Sequence, residues 1–276
     1  MLSPSSPIAF SIGPLDIRWY AIFILLGMAC GVGLAAWLAK RRDLDPDFLL
    51  DMVPWIVVLG LIGARAYYVL LKFDFYLQHP EEAINVRLGG MTIHGAIVAG
   101  VTTAVVYCLR HEQPVFRWFD VMAPGLALGQ AIGRWGNWAN QEAFGTPSTL
   151  PWAVRIDLAH RPPGYEQVAT FHPTFLYESL FDVANAAVLA WLLLRAPRIR
   201  WLRPGDIAWL YLIAYGIARY LIERIRTDSL YIGPLPAAFW FSFALVGVGV
   251  AMLILRRTVL TTDPDWTADQ PPRSEG

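Results

Sequence analysis

Hydrophobic residues along this chain are gathered into seven long runs, and most polar residues lie between the runs. The runs cover about residues 17–39, 49–71, 89–109, 119–138, 173–194, 205–225 and 235–255. A helix needs roughly 20 apolar residues to cross the hydrocarbon core of a bilayer. The pattern therefore predicts an all-α polytopic membrane protein with about seven transmembrane helices, forming a single transmembrane domain over residues 1–260.

Two polar segments interrupt or follow these runs. The longest one, residues 140–172, contains four prolines and a glycine between Pro147 and Gly164, which favours an ordered loop or a small lobe inserted between spans four and five. The tail, residues 261–276, is polar and contains proline, so we expect it to be disordered.

Basic residues are sorted to one side of the predicted spans. They follow spans one, three, five and seven, as Lys40, Arg41 and Arg42, then Arg110 and Arg117, then Arg195, Arg198, Arg200 and Arg203, and finally Arg256 and Arg257. Loops rich in Lys and Arg stay in the cytoplasm. This asymmetry predicts a cytoplasmic C-terminus, whereas the N-terminus and the 140–172 insertion face the opposite, outer side of the membrane, which is the periplasm in a bacterial inner membrane.

The composition agrees with a membrane location and argues against a soluble globular domain. The chain has 276 residues, of which 56% are hydrophobic and only 16% are charged, whereas soluble domains are about 25% charged. Its two cysteines, Cys30 and Cys108, both lie inside predicted spans without an activating neighbour, so they favour core packing. Nucleotide-binding and intramembrane-protease motifs are absent from the sequence.

The stretch from Gly133 to Gly145 is unusual because polar residues end an otherwise apolar span. Arg134, Asn137, Asn140 and Glu142 fall within nine residues. An ionisable residue at membrane depth is costly and is a functional hypothesis by default. The alternative is that Arg134 extends to the interface while the two asparagines cap the helix end.

Other spans carry polar residues at a similar depth. His94 is predicted five residues into span three, and Arg65 lies near the outer end of span two. On span six the spacing i, i+4, i+8 and i+11 predicts one helical stripe, formed by Tyr215, Arg219, Glu223 and Arg226. Their shared depth predicts a common polar cavity open toward the outer leaflet.

Each of these residues also has a structural interpretation. His94 is alternatively a core histidine bonded to a carbonyl, and Arg65 alternatively pairs with a helix end or a glutamate. Tyr20, which follows Trp19 near the start of span one, is alternatively an aromatic residue at the membrane interface.

The predicted cavity contents favour a phosphate-bearing ligand. Guanidinium groups bind phosphate oxygens in a bidentate manner, and in a membrane cavity the obvious phosphate belongs to a phospholipid headgroup. His94 is the natural group for proton transfer near neutral pH. Glu223 lies one helical turn from Arg219 and is expected to orient it.

These motifs together resemble a known family. The run Gly133-Arg134-x-Gly136-Asn137-Trp138-x-Asn140-x-Glu142-x-Phe144-Gly145 resembles the signature of bacterial prolipoprotein diacylglyceryl transferases. Companion motifs occur in the family's order along almost the whole chain: Arg18-Trp19-Tyr20, Gly63-Ala64-Arg65, Gly89-Gly90-Met91-x-x-His94-Gly95, His172-Pro173-Thr174-x-x-Tyr177-Glu178, and Tyr215-Gly216-x-x-Arg219-x-x-x-Glu223-x-x-Arg226.

The resemblance implies a transferase of the bacterial inner membrane, with its active cavity toward the periplasmic leaflet. Such an enzyme moves the diacylglyceryl group of phosphatidylglycerol to the lipobox cysteine in the signal peptide of a preprolipoprotein and releases glycerol phosphate. It implies no metal, no other cofactor and no nucleic-acid partner. The implied catalytic residues are His94, Arg134 and Arg219, and the implied lipid-binding residues are Arg134, Asn137, Asn140, Glu142, Gly145, Tyr20, Tyr215, Glu223, Arg226 and Arg65.

Two other function classes remain open from the residues themselves. A transporter of phospholipids or organic anions would use the same arginine-lined cavity, but it needs a polar pathway on the cytoplasmic side, where the spans carry few ionisable groups. A structural membrane scaffold gives no reason for polar residues at a shared depth.

Overall fold

The computed structural model describes residues 1–4, 6–85 and 89–259, and it confirms a mainly helical protein. The expected disordered tail, 261–276, lies outside the described residues. Within the described part of the chain, seven helices have 18 residues or more: α1 Trp19–Arg41, α2 Pro46–Leu71, α4 Ile93–Arg110, α5 Val115–Asn140, α6 Thr174–Arg195, α7 Asp206–Glu223 and α8 Ala237–Thr258. A shorter helix, α3, covers Phe73–Gln78.

Three small antiparallel strand pairs accompany the helices in the described residues. Their strands are β1 Ile8–Ile12 with β2 Leu15–Arg18, β3 Val154–Arg155 with β4 Thr170–Phe171, and β5 Tyr231–Ile232 with β6 Leu235–Pro236. The hydrophobic runs did not predict these strands. Four of them, β3 to β6, have only two residues each, which is too few to show an alternating pattern. Strands β1 and β2 have five and four residues.

Five of the long helices, namely α1, α2, α4, α6 and α8, are long and apolar enough to cross a membrane. The two that fall short, α5 and α7, carry Arg134 and Arg219. All of α7 is 18 residues long, and it includes Asp206, Arg219 and Glu223. These three charged residues lower the hydropathy of α7, and α5 contains the charged residues Arg117, Asp120 and Arg134.

The chain divides into two compact units, each with its own helix contacts. The first contains Met1–Arg42 and the described residues from Phe119 onward, and the second is Asp43–Trp118. The single transmembrane domain expected over residues 1–260 stays a prediction.

In the first unit, glycines allow α1 and α5 to approach each other closely. A Cβ atom at Gly31 would lie 2.5 Å from the carbonyl oxygen of Gly125, and one at Gly27 would lie 2.6 Å from that of Gly129. Small residues permit such backbone contact between membrane helices. This packing fixes α5, the helix that carries Arg134.

The start of α7 is held by a carboxylate from α5. Asp120 is fully buried and accepts hydrogen bonds from the backbone N–H groups of Gly205 and Ala208. These donors belong to the first turn of the helix, where no intrahelical acceptor exists. At the same end, Arg257 of α8 contacts Asp206 at 2.7 Å. Helix α7, which carries Arg219, is thus anchored at its start to α5 and to α8.

In the second unit, α2 packs against α4 through Gly63 and Gly95. A Cβ atom at Gly95 would clash with the carbonyl oxygen of Gly63. Helix α4 begins at Ile93, so the prediction that His94 lies five residues inside a helix is wrong. Gly89 and Gly90 have φ angles of +81° and +75°, which a right-handed helix excludes. His94 therefore lies in the first turn of α4.

The insertion between α5 and α6 is ordered and has a small hydrophobic core. Strands β3 and β4 pair across it, and its core is formed by Phe144, Val154, Ile156, Phe171 and Phe175. Burial of these side chains, rather than length of strand, stabilises the lobe.

Candidate active site

The polar end of α5 is closed by a backbone motif at Gln141. The N–H of Gln141 donates to the carbonyl of Trp138 at 3.2 Å, and the N–H of Glu142 donates to that of Asn137 at 3.0 Å. This pair of bonds is a Schellman motif, which requires a left-handed residue after the helix. Gln141 fills that position with a φ of +52°. Backbone groups, not asparagine side chains, therefore satisfy the helix end.

The change of chain direction at Gln141 places Glu142 against the last turn of α5. The Asn137 side-chain amide donates to Glu142 Oε1 at 2.9 Å, and the Asn140 amide donates to the same oxygen at 3.3 Å. Glu142 itself is exposed. The three residues form one small polar group that can bind a hydroxylated ligand.

Arginines from two helices meet at one carboxylate of a third. Arg134 Nη2 lies 3.0 Å from Glu178 Oε1, and Arg219 Nη1 lies 3.7 Å from the same oxygen. The side chains of Arg134 and Arg219 are 19% and 18% exposed, whereas that of Glu178 is 6% exposed. Arg134 is therefore bound inside the first unit, and the alternative that it only extends to the interface is not what the structure shows.

The cluster continues along α7. The predicted pairing of Arg219 with Glu223 is present, with Arg219 Nη2 lying 2.7 Å from Glu223 Oε2. Arg226 lies 3.9 Å from Glu223 and binds both oxygens of Asp228, at 2.9 and 2.7 Å. Burial lowers the pKa of the Arg226 guanidinium, but the hydrogen bonds to Asp228 and the charges of Asp228, Glu178 and Glu223 together outweigh burial and leave the pKa raised. Arg226 therefore stays charged.

Arg226 does not belong to the helical stripe that its spacing predicted. Helix α7 ends at Glu223, and Arg226 forms a β-bridge with Gly145. The N–H of Thr146 donates to the carbonyl of Ile225 at 2.6 Å, which pairs the chain after α7 with the stretch after α5. The prediction was wrong because a periodicity argument does not detect pairing with a distant segment.

Gly145 joins three segments at this position. Its N–H donates to the carbonyl of His172 at 2.9 Å. A Cβ atom there would lie 2.9 Å from His172 Cβ and 2.9 Å from the carbonyl oxygen of Ile225. Only glycine fits this close approach without displacement of backbone.

Two tyrosines named from the sequence lie on the same set of helices. Tyr20 of α1 packs on Gly136 of α5, where an added Cβ would lie 2.7 Å from the ring. Tyr215 stacks on Tyr211, whose hydroxyl donates to Gln130 Oε1 at 2.8 Å. Both tyrosines are thus placed by contacts with the helices that carry the arginines.

Arg65 and His94 belong to the second unit. All five N–H donors of Arg65 bind backbone carbonyls, those of Glu82, Ala83, Asn85, Gly89 and Gly90, at 2.6 to 3.2 Å. This leaves no guanidinium donor for a phosphate, so the contacts favour the structural interpretation of Arg65. His94 is exposed, which argues against a core histidine.

Sequence reasoning missed two residues. Glu178 was quoted in a motif but given no role, although a carboxylate five residues into an apolar span was a sufficient signal. Gln141 gave no local signal. Its side chain donates to Asp157 at 2.8 Å and accepts from the Asp157 N–H at 2.7 Å, which connects the helix end to the lobe.

This arrangement suits electrostatic binding of an anion. Within residues 1–4, 6–85 and 89–259, no three His, Cys, Asp or Glu side chains are grouped to hold a metal ion. The arginines instead offer planar donor groups that match phosphate oxygens. Fold and site together define a multi-pass helical membrane protein with a buried arginine–carboxylate cluster.

Comparison with known proteins agrees with this class and narrows it. The family model for prolipoprotein diacylglyceryl transferase matches residues 7–255. A Nostoc sp. protein named phosphatidylglycerol–prolipoprotein diacylglyceryl transferase is 42% identical over 257 residues, 92% of this chain and 90% of its own. Proteins of the same name from Synechococcus elongatus and Gloeobacter violaceus are 43% and 44% identical, over 90% of this chain and 86% and 91% of theirs. The chain belongs to the prolipoprotein diacylglyceryl transferase family, which confirms the resemblance seen in its motifs.

Proposed function

We propose that this protein is a transferase that moves the diacylglyceryl group of phosphatidylglycerol to the lipobox cysteine of prolipoproteins. Family membership and the names of its relatives support this reaction. The observation that carries it is the meeting of Arg134 and Arg219 at Glu178, because two guanidinium groups from separate helices can hold one phosphate.

The reaction replaces a carbon–oxygen bond by a carbon–sulfur bond. The cysteine sulfur attacks the glyceryl carbon that bears the phosphate ester, and the ester oxygen leaves with the bonding electrons as glycerol phosphate. Arg134 and Arg219 stabilise the charge that develops on the phosphate. His94 accepts the thiol proton. The nucleophile belongs to the prolipoprotein signal peptide, so the enzyme needs no activated cysteine of its own.

Residues around the arginines bind the rest of the lipid. Asn137, Asn140 and Glu142 present amide and carboxylate groups to the glycerol headgroup. Gly145 allows the close backbone approach that closes this side of the site, and Tyr20 and Tyr215 position the lipid. Glu223 orients Arg219 through an ion pair, and Arg226 contacts the same oxygen of Glu223.

The proposed membrane arrangement has seven spans. Helices α5 and α7 cross the bilayer with the five apolar helices, and their arginines lie in a cavity toward the periplasmic leaflet. The N-terminus and the 140–172 lobe are periplasmic, and the C-terminus is cytoplasmic in the bacterial inner membrane. The sorting of basic residues and the partnering of α5 and α7 polar groups support this arrangement.

The test is transfer by the purified full-length protein. It is incubated in detergent with phosphatidylglycerol labelled in the acyl chains and a peptide that contains a lipobox cysteine. The proposal expects label on the peptide and release of glycerol phosphate, and a matched Cys→Ser peptide should stay unlabelled. Lipid movement between leaflets of reconstituted vesicles without peptide labelling would support a transporter instead.

A further inference from the structure

Glu178 lies between two positive charges that would otherwise repel each other. Its Oε1 atom contacts Arg134 at 3.0 Å and Arg219 at 3.7 Å. Guanidinium groups stay charged in proteins. A carboxylate in this position therefore stabilises the two arginines near each other, in the arrangement that a phosphate requires.

The bonding around Glu178 is incomplete. Its Oε2 atom is buried without a hydrogen-bond donor, and Arg219 Nη1 is buried without an acceptor at hydrogen-bond distance, as far as the described residues show. By contrast, Asp228 binds Arg226 through both oxygens, at 2.9 and 2.7 Å. Bidentate ion pairs of this kind are stronger than pairs with a single contact. The contacts of Glu178 with Arg134 and Arg219 are therefore weaker than the Arg226–Asp228 pair and more readily exchanged.

The other carboxylates nearby do not take this position. Glu223 contacts Arg219 and Arg226, both on its own segment of chain. Asp182, one turn further along α6, interacts electrostatically with Arg134 and with Glu178. Glu178 is thus the carboxylate placed to neutralise Arg134 and Arg219 together.

We propose that Glu178 is an exchangeable counterion of the phosphate site. The carboxylate holds both arginines while no anion is bound, yields their N–H donors to the phosphate of the lipid, and takes them back when glycerol phosphate leaves. This role rests on the proposed function, and it makes Glu178 a positioning residue.

Release of product is the step that needs such a counterion most. The substrate phosphate is a diester with one negative charge, whereas glycerol phosphate is a monoester that carries about −1.5 to −2 near pH 7. The added charge binds two arginines more tightly than the substrate does. Competition from Glu178 limits this retention and lets the site turn over.

The test is product inhibition of the purified full-length enzyme by glycerol phosphate. Glu178→Gln keeps the shape and removes the charge. We expect the inhibition constant of this variant for glycerol phosphate to fall about tenfold. This factor corresponds to one charge-assisted hydrogen bond for which the Glu178 carboxylate no longer competes with the phosphate. The rate constant kcat should fall as well, because release becomes slow. Glu112→Gln, the same change at an exposed position outside the cluster, is the matched control and should leave the inhibition constant within about twofold.

An unchanged or raised inhibition constant in Glu178→Gln overturns the proposal, because general damage to the site weakens product binding. If that variant does not fold, Glu178→Asp, which keeps the charge but is too short to reach both arginines, should show a smaller decrease. Thermal stabilisation by glycerol phosphate, stronger in the variants than in the wild type, measures the same competition without any transfer. Absence of transfer by the wild type would contradict the proposed function separately.

Discussion

Gly145 and Arg226 lie opposite each other in an isolated antiparallel bridge, although 80 residues separate them in sequence. The bridge brings the stretch after α5 against the end of α7. It also leaves no space for a side chain at Gly145, because an added Cβ atom would be too close to His172 and to the carbonyl oxygen of Ile225.

Gly145→Ala should therefore disturb both arginine-bearing segments. The added methyl group must displace backbone, which costs about 1 to 3 kcal/mol. We expect transfer activity to fall at least about tenfold, measured with labelled phosphatidylglycerol. Gly133→Ala is the control, because its Cβ would meet nothing closer than 3.5 Å, and similar losses in both variants would contradict the argument.

Arg134→Lys tests whether the geometry of the guanidinium matters beyond its charge. Lysine keeps the charge but cannot bind phosphate oxygens in a planar two-point manner. Loss of one donor at a developing charge typically costs about 100-fold to 1,000-fold in kcat. Transfer kinetics on purified protein check this, and wild-type activity in the variant would remove Arg134 from the phosphate site. Arg224→Lys, whose side chain stacks on Tyr220, is the control and should keep its activity.

His94→Gln separates proton transfer from lipid binding. Glutamine preserves hydrogen bonding but does not accept a proton, and a general base contributes about 100-fold to 10,000-fold. The variant should lose transfer by that order and still bind phosphatidylglycerol, as measured by lipid-dependent thermal stabilisation. His111→Gln, at the opposite end of α4, is the matched control. Full transfer activity of His94→Gln would exclude this histidine as the base.

Arg65→Lys should loosen the segment that precedes His94. Lysine has three N–H donors, so at least two of the five carbonyls bound by Arg65 lose their partner. A hydrogen bond to a charged group contributes about 1.5 to 3 kcal/mol, so the loss of two of them should weaken this segment. Hydrogen exchange should accelerate at residues 82–85 and 89–92, whereas Arg110→Lys, an exposed change in the same unit, should not affect it. Unchanged exchange would contradict the structural role.

Close helix packing in the first unit gives a prediction about stability. Gly31→Ala would place a methyl group 2.5 Å from the carbonyl oxygen of Gly125, so α1 and α5 must move apart. Two residues away, a Cβ at Gly33 meets nothing within 4 Å. The Tm in detergent should fall for Gly31→Ala and stay equal or rise for Gly33→Ala, because alanine favours helix by about 1 kcal/mol. Equal effects would show that packing is not the cause.

The sequence by itself determined the helices and the family. Long apolar runs predict helices because every backbone polar group must be satisfied within the segment in a bilayer, which is a local property. The same reasoning singled out Arg134, Arg219 and His94, since charged or titratable groups stand out in an apolar run. It also found the pairing of Arg219 with Glu223, because residues four apart on a helix are neighbours.

Tertiary structure decided which of these groups are partners. Glu178 meets Arg134 and Arg219 across 44 and 41 residues of sequence, and Arg65 binds carbonyls up to 25 residues away. Arg226 leaves the helix for Gly145, and α4 starts late because two glycines take left-handed conformations. Periodicity describes only the helix on which a residue lies. The partners that hold each charge in place come from other elements, and only their packing brings them within contact distance.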